Sequence, residues 1–413
     1  MKQPLSWTAP PALPETHYLD NRIYTDPDIY AAEMAGIFGT RWKLICHRSE
    51  LPEPGDFRTV TLAGHNLFLV HGFDGEIRTF FNVCPHRGAA LIRKPAGNLG
   101  QDRIQCFYHL WSFTSSGRCQ KIPRRDGYNR CGLREEHVRL RAVKTEIRLG
   151  FVWVCLDDAV EPIDDFLAPV LDDFDPVLTS EDVEVFHLHR AEFKANWKLF
   201  VETNCEGYHE LLHVLNRTTG LGQKNYTKRR WRPTQWGHNV FEPFAIGYER
   251  LELDSRDSNL FPTMAPNGHI VADIFPDTML NIRATVGRID TLIPVAPGLT
   301  ILECRGIGLK SDSAETRASR IRQHNQVWGP AGRNLPEDLW AVESQWANMA
   351  AGSLPYSIIA REEDNQAMDD SPLRNFYGEW SRLLHRCPHD IGAEWAPAPE
   401  GADAPAGIAA AGR

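Results

Sequence analysis

The sequence predicts an α+β protein: a small unit of short strands, then a larger unit whose antiparallel sheet is covered by helices. Three observations carry that expectation. Between Trp42 and about Asp157, short runs rich in β-branched and aromatic residues alternate with Gly, Asp and Asn turns. From His269 to Leu309, longer apolar runs follow one another with short connections, as in an antiparallel sheet. Beyond Leu309 the apolar period lengthens to that of helices, so helices and strands are segregated.

Taken in order, residues 26–40 place Ile29, Ala32, Met34, Ile37 and Phe38 at helical spacing, so a helix precedes the first strand of the small unit. The runs 67–71 and 77–81 flank Gly72 and Asp74-Gly75 and read as a hairpin; the run 151–155 closes this section. Pro95, Gly97, Asn98 and Gly100 mark a surface loop over 94–103. Beyond Pro162 the pattern predicts a helix over 164–174, a strand over 183–193 and a helix over 196–216. Strands at 269–275, 279–284, 288–293 and 300–309 form the sheet, and helices at 313–327, 336–351 and 373–384 cover it. The resulting division is 1–41, an N-terminal helical segment packing on the larger unit; 42–157, the small β-domain; 158–392, the larger domain; and 393–413, a Pro/Ala/Gly tail expected to be disordered.

Composition narrows the function. Charged residues make up 24% and apolar residues 42% of the 413, the balance of a soluble globular chain. A net charge of −9 without a basic run argues against nucleic acid. No apolar stretch has the length of a membrane span, and Met1-Lys-Gln-Pro lacks the apolar core of a signal peptide. Nine cysteines without regular spacing suit a reducing, cytoplasmic setting. No glycine-rich dinucleotide fingerprint follows a strand, so nicotinamide or flavin chemistry would sit on another polypeptide.

Two constellations carry chemistry. Cys84-Pro-His86-Arg-Gly and Cys106-Phe-Tyr-His109 read Cys-x-His, nineteen residues, Cys-x-x-His. Each loop pairs one thiolate with one imidazole, the donor set of a [2Fe–2S] centre in which two cysteines hold one iron and two histidines the other. The competing reading is a structural zinc site, but zinc fingers usually segregate Cys-Cys from His-His. The second constellation is Glu206-Gly-Tyr-His209-Glu-Leu-Leu-His213. On a helix, His209 and His213 share a face and can bind one metal, though such an i, i+4 pair can equally be two ordinary core or surface histidines. The same string matches His-Glu-x-x-His, the zinc metalloprotease motif, with Glu210 as general base.

Asn82-Val-Cys-Pro-His-Arg-Gly-Ala-Ala-Leu91 and Cys106-Phe-Tyr-His-Leu-Trp111, with Asn196-Trp197-Lys198, Glu206 and Tyr208-His209, resemble the α subunits of Rieske non-heme iron aromatic-ring-hydroxylating oxygenases, from about Asp26 to Leu384. Three departures stand out. The spacer between the two cluster loops is a little longer than most of the family shows, Leu110 stands where a glycine is more usual, and three residues separate the histidines where most relatives have four. The resemblance implies a helix-grip (START-like) catalytic domain, a cluster on Cys84, His86, Cys106 and His109, and mononuclear Fe(II) on His209, His213 and a late carboxylate. Arg361-Glu-Glu-Asp364-Asn-Gln-Ala-Met matches the late acidic segment, so Asp364 is the expected ligand and Glu363 the next choice. Glu206 is expected to act catalytically, linking His209 to the cluster ligand His109 of a neighbouring subunit in a trimer. The resemblance further implies an NAD(P)H-dependent reductase, with or without a ferredoxin, and a homotrimer or an α3β3 assembly with a small β subunit. The implied reaction uses O2 to cis-dihydroxylate or monohydroxylate an aromatic, acid-type substrate; the alternatives are a monooxygenase of sulfonates or quaternary amines, or a zinc protease. Arg283, Arg288 and Arg305 are candidates for holding an anionic group.

Overall fold

Successive side chains of a strand point to opposite faces, so each long strand offers one face to a core and one to chemistry. In the computed structural model, which describes residues 8–180, 182–220, 226–247 and 259–393, the small unit is a seven-stranded antiparallel sheet. After β1 (Tyr18–Asp20), α1 (Arg22–Thr25) and α2 (Pro27–Glu33) come β2 (Lys43–His47), β3 (Asp56–Leu62), β4 (His65–His71), β5 (Ile77–Phe81) and β6 (Ala96–Asn98). β7 (Ile104–Gln105), β8 (Ser112–Phe113) and β9 (Cys119–Lys121) form a separate small sheet. β10 (Ala142–Arg148) and β11 (Phe151–Cys155) complete the larger one, in the order β2-β11-β10-β5-β4-β3-β6. The expected hairpin is β4–β5, with Leu67 opposite Phe81 and His71 opposite Ile77. The expected loop over 94–103 contains a short edge strand, because β6 pairs with β3.

The larger unit is built on a second seven-stranded sheet, β12-β18-β17-β16-β15-β14-β13. Its strands are β12 (Val183–Phe193), β13 (Trp231–Pro233), β14 (Asn239–Ala245), β15 (Gly268–Ile274), β16 (Thr278–Arg283), β17 (Val286–Ala296) and β18 (Leu299–Leu309). One face is apolar: Ala272, Ile274, Leu280, Ile282, Ile289 and Ile307 pack with Trp42, Leu44 and Trp153 and with α3 (Ile163–Leu178). The other face carries His187, His189, Asp273, Asn281, Arg288, Asp290 and Cys304. Directly opposite residues share a face, and the registers align these side chains in rows. On the chain's helical side lie α4 (Trp197–Asn204), α5 (Val214–Thr219), α6 (Ala314–Trp328), α7 (Leu335–Ala350) and α8 (Ser371–Leu384). The helix expected over 196–216 is therefore interrupted. The short strand β13 and the seven-residue β14, outside the expected set, extend the sheet. The Pro/Ala/Gly tail expected to be disordered lies outside the described residues from 394 onward.

Buried charges join the two units. Arg305 donates to Glu50 at 2.9 Å and to Glu303 at 2.6 Å, and Arg58 reaches Glu50 and Glu303 at 2.5 and 2.6 Å. Lys43 pairs with Asp277 and donates to the Leu292 carbonyl at 2.9 Å. Buried charge is tolerated only when paired and hydrogen-bonded in this way. Arg305 is thus occupied structurally and is removed from the candidates for anion binding.

Candidate metal centres

The first pair of loops hangs from the small unit with its ligands inward. Cys84 and Cys106 are buried and their thiols face each other, while the rings of His86 and His109 lie 4.5 Å apart. Burial pushes the Cys84 thiol up to about 11, the backbone N–H groups of His86 and Arg87 acting against it and Cys106 with it. A metal in place of the proton offsets that cost. His86 stacks on Trp111 at 4.7 Å; its Nε2 is 3.4 Å from the Tyr128 hydroxyl, and its Nδ1 is buried without a hydrogen-bond partner. An orphaned imidazole nitrogen beside two thiols fits a metal cluster. Leu110 has φ +59°, the left-handed conformation that explains why glycine is more usual there. Phe107, Tyr108 and Leu110 make the loop tip around His109 apolar and exposed.

The second centre depends on a break in the chain. Asn196 caps α4, its side chain accepting from Lys198 N at 3.1 Å, and donates to the Tyr24 and Pro297 carbonyls. Trp197 and Lys198 donate to buried Glu33 at 2.9 and 2.6 Å, so Asn-Trp-Lys is an anchor for this helix. The helix ends at Asn204 because Gly207 must pass against the Ala367 carbonyl: its N–H donates there at 2.9 Å, and an added Cβ would lie 2.4 Å from that oxygen. A 3-10 turn, Tyr208–Leu211, follows, with the Glu206 carboxylate accepting from the backbone N–H of Tyr208 and of His209. His213 then precedes α5. The three-residue spacing thus lies outside any continuous α-helix, and its register is set by this turn.

His209 and His213 converge with Asp338, not with Asp364. One ligand atom from each of His209, His213 and Asp338 lies within 4.8 Å of the other two. Asp338 Oδ1 is 3.9 Å from His209 Nε2 and 3.6 Å from His213 Nε2. Asp338 sits in the first turn of α7 on the buried stripe Leu335, Asp338, Val342 and Met349. Its Oδ1 is buried without a hydrogen-bond partner, a donor set that fits a bound cation. Burial raises the Asp338 carboxyl, with His209 and His213 opposing. For His209, burial works to lower the pKa, but Glu206, Asp338 and Glu210 outweigh it and hold it up at about 10.

Carboxylates also hold the outer ring nitrogens. His213 Nδ1 is 2.8 Å from Glu337 Oε2; His209 Nδ1 lies 3.0 Å from the Glu206 carbonyl and 3.3 Å from its Oε1. The expected ligand Asp364 is elsewhere: its residue has φ +53°, and its carboxylate is 79% exposed and paired with Arg230. Glu363 pairs with Arg361. The late acidic segment meets the site through the Ala367 carbonyl and contributes no carboxylate to the convergent group. Glu210, the protease base in the competing reading, accepts from Tyr226 at 3.1 Å and from Asn216. The signal for Asp338 in the sequence was a carboxylate on the apolar stripe of a helix.

The family profile for the Rieske [2Fe-2S] domain matches residues 41–138, and that for the ring hydroxylating alpha subunit (catalytic domain) matches 180–379. The chain is 38% identical over 385 residues to the 2-aminobenzenesulfonate 2,3-dioxygenase subunit alpha of Alcaligenes sp, covering 92% of this chain and 97% of that one. The chain belongs to the Rieske oxygenase α subunits. The methanesulfonate monooxygenase hydroxylase subunit alpha of Methylosulfonomonas methylovora is also 38% identical, over 92% of the oxygenase and 94% of that protein. Among solved structures, naphthalene 1,2-dioxygenase from Rhodococcus sp. shares the fold at TM-score 0.77 and 19% identity, covering 89% of the oxygenase and 94% of that chain. A quaternary ammonium Rieske monooxygenase shares it at TM-score 0.75 and 21% identity, over 91% and 100%. The cofactors are accordingly a [2Fe–2S] cluster and mononuclear non-heme iron, and the protein is an oxygen-incorporating oxidoreductase, not a protease. No helix among the described residues is long and apolar enough to cross a membrane.

Proposed function

We propose that the oxygenase hydroxylates a small sulfonate, with the cluster on Cys84, His86, Cys106 and His109 and the mononuclear iron on His209, His213 and Asp338. The observation that carries the iron assignment is the unsatisfied Asp338 Oδ1 facing the Nε2 atoms of both histidines. Bound there, the iron supplies O2 activation, fed by electrons that pass through the cluster. The protein's part is to hold the imidazoles. Glu337 and Glu206 take the Nδ1 side of each ring, which leaves Nε2 bare toward the metal and fixes the tautomer.

Both 38%-identical relatives are named for sulfonates, which favours that class over the aromatic acids of relatives near 25% identity. Arg229 supports it. Its guanidinium lies 3.6 Å over the Phe241 ring, and Nε and Nη2 donate to the Glu242 carbonyl. Nη1 is buried without a partner. Burial lowers its pKa to about 10, which leaves it cationic at neutral pH. A sulfonate is an acceptor-only anion that suits such a donor. Contacts run from Arg229 through the Tyr226 ring to Glu210, the neighbour of His209.

The exposed tip at Phe107, Tyr108 and Leu110 is the surface that a neighbouring subunit covers in this reading, bringing His109 of the partner subunit to Glu206. The assembly is a homotrimer or α3β3, served in the cytoplasm by a reductase, with or without a ferredoxin. The domain boundaries proposed from the sequence are retained.

The test is turnover by the reconstituted enzyme of methanesulfonate, 2-aminobenzenesulfonate, benzoate and carnitine under 18O2. Label in a sulfonate product is expected, and the number of labelled oxygens distinguishes dioxygenation from monooxygenation. Turnover of benzoate or carnitine without that of either sulfonate refutes the substrate class.

A further inference from the structure

Away from the iron centre, three histidines meet under α6. His187 and His189 are two positions apart on β12 and so share a face. The register sets His187 opposite Gly306 and His189 opposite Cys304 on β18. The helix crossing that face contributes His324, which is fully buried. Ring centroids are 5.2 Å apart for His187 and His324, 5.7 Å for His189 and His324, and 5.5 Å for His187 and His189. One nitrogen from each ring lies within 4.8 Å of the other two. Gly306 leaves the room: a Cβ there would come within 3.0 Å of the His324 ring.

A core histidine ordinarily has one ring nitrogen donating and the other accepting. Here Nε2 of His187, both nitrogens of His189 and Nδ1 of His324 are buried and none has a partner in good hydrogen-bond geometry, although the Trp328 backbone lies near His189 and Asn325 near His324. Only the far side of His324 is held, with Nε2 3.6 Å from the Cys304 thiol. Burial lowers the pKa of all three. For His324, at about 3, His187, His189 and Arg288 add to the effect; for His189, His187 and Arg288 add to it while Asp290 and the Trp328 backbone oppose. The rings are therefore neutral at physiological pH, the form that binds metals. Charge nearby is balanced, since Arg288 is paired with Asp290 at 2.6 Å.

We propose that His187, His189 and His324 form a second metal site, for a divalent ion of the zinc type, which ties the edge strand β12 to α6. Three imidazoles suit zinc, copper or nickel, with a fourth position for water. Bonds of about 2.0–2.1 Å bring tetrahedral nitrogens to about 3.4 Å from one another, so the rings close in on the ion. The half-buried His187 and His189 supply that movement. His189 also lines a groove of about 1790 Å³ between the two units, which gives the ion a way in. None of the three residues takes part in holding the cluster or the mononuclear iron, so the site stands independently of the substrate reading.

The experiment uses the full-length enzyme with cluster and mononuclear iron loaded. Zinc is titrated in, the protein is desalted, and zinc and iron are counted together by mass spectrometry. About one zinc per chain is expected with iron undiminished, and Co(II) in its place should give visible d–d absorption. In the double variant His187→Ala, His189→Ala, zinc affinity should fall at least tenfold while the cluster EPR signal and iron content stay at the parent level. His189→Asn alone gives the same readout if the double variant does not fold. Zinc that binds the variants as tightly as the parent, that enters only by displacing iron, or that does not bind at all overturns the proposal.

Discussion

Replacing Glu337 by Gln removes a negative charge 2.8 Å from His213 Nδ1 while keeping an oxygen able to accept the same hydrogen bond. The His213 ring is 2% exposed, so water cannot take over the carboxylate's role in making Nε2 a stronger donor to the iron. Loss of a carboxylate behind a metal-bound imidazole typically weakens metal affinity ~10–100-fold. That corresponds to about 1.4–2.8 kcal/mol. Glu337→Ala goes further, leaving a buried N–H unpaired at an added cost of roughly 1–3 kcal/mol. The expected order of Fe(II) affinity is parent, then Gln, then Ala, measured by competition with a chromogenic chelator. The cluster's EPR signal serves as internal control because Glu337 does not touch it. Equal affinity in all three proteins, or an Ala variant no weaker than Gln, refutes the reasoning.

Asp338→Ala should lose the mononuclear iron and all turnover while keeping the cluster, and Asp364→Ala should keep both; iron counts on the two variants decide between the carboxylates. Glu206→Gln should retain both metals yet slow turnover ~10–100-fold, with the reduced cluster reoxidising slowly in the presence of substrate and O2; unchanged turnover removes the bridging role. Glu303 yields a pH prediction. Burial would raise its carboxyl, but Arg305, Arg58 and Arg190 hold it down at about 2, below the ordinary 4.5. Its contribution of roughly 3 kcal/mol is thus complete above pH ~4.5 and lost as the pH falls toward 2. Acid unfolding should therefore be shallower over that window for Glu303→Gln, which starts from lower stability at pH 7.

How much the sequence disclosed depended on how local the relevant contacts are. The cluster loops and the long strands were legible because their signals are short-range: Cys84-x-His86 and Cys106-x-x-His109 each form one loop, and 183–193 carries the β-branched and aromatic residues Val183, Val185, Phe186 and Phe193. The helix expected over 196–216 was not, because its apolar pattern continues past the point where Gly207 packs on Ala367. That contact comes from a distant segment, and no local propensity reports it. The place of Asp338 beside the two histidines was not legible for the same reason in reverse. The acidic segment around Asp364 does lie against the site, but through its backbone, while the convergent carboxylate comes from the first turn of another helix.

The interruption between α4 and α5 also bears on how such sites change over evolutionary time. In an unbroken helix, deleting one residue between two metal-binding histidines swings the second by about 100° and destroys the site. Here His209 lies within the 3-10 turn Tyr208–Leu211, whose start is pinned at Gly207, and His213 follows two residues beyond its end, held by Glu337. A deletion within such a segment shortens a loop between two fixed posts. The interval between the two histidines is therefore set by that turn and its two posts, not by the period of a helix.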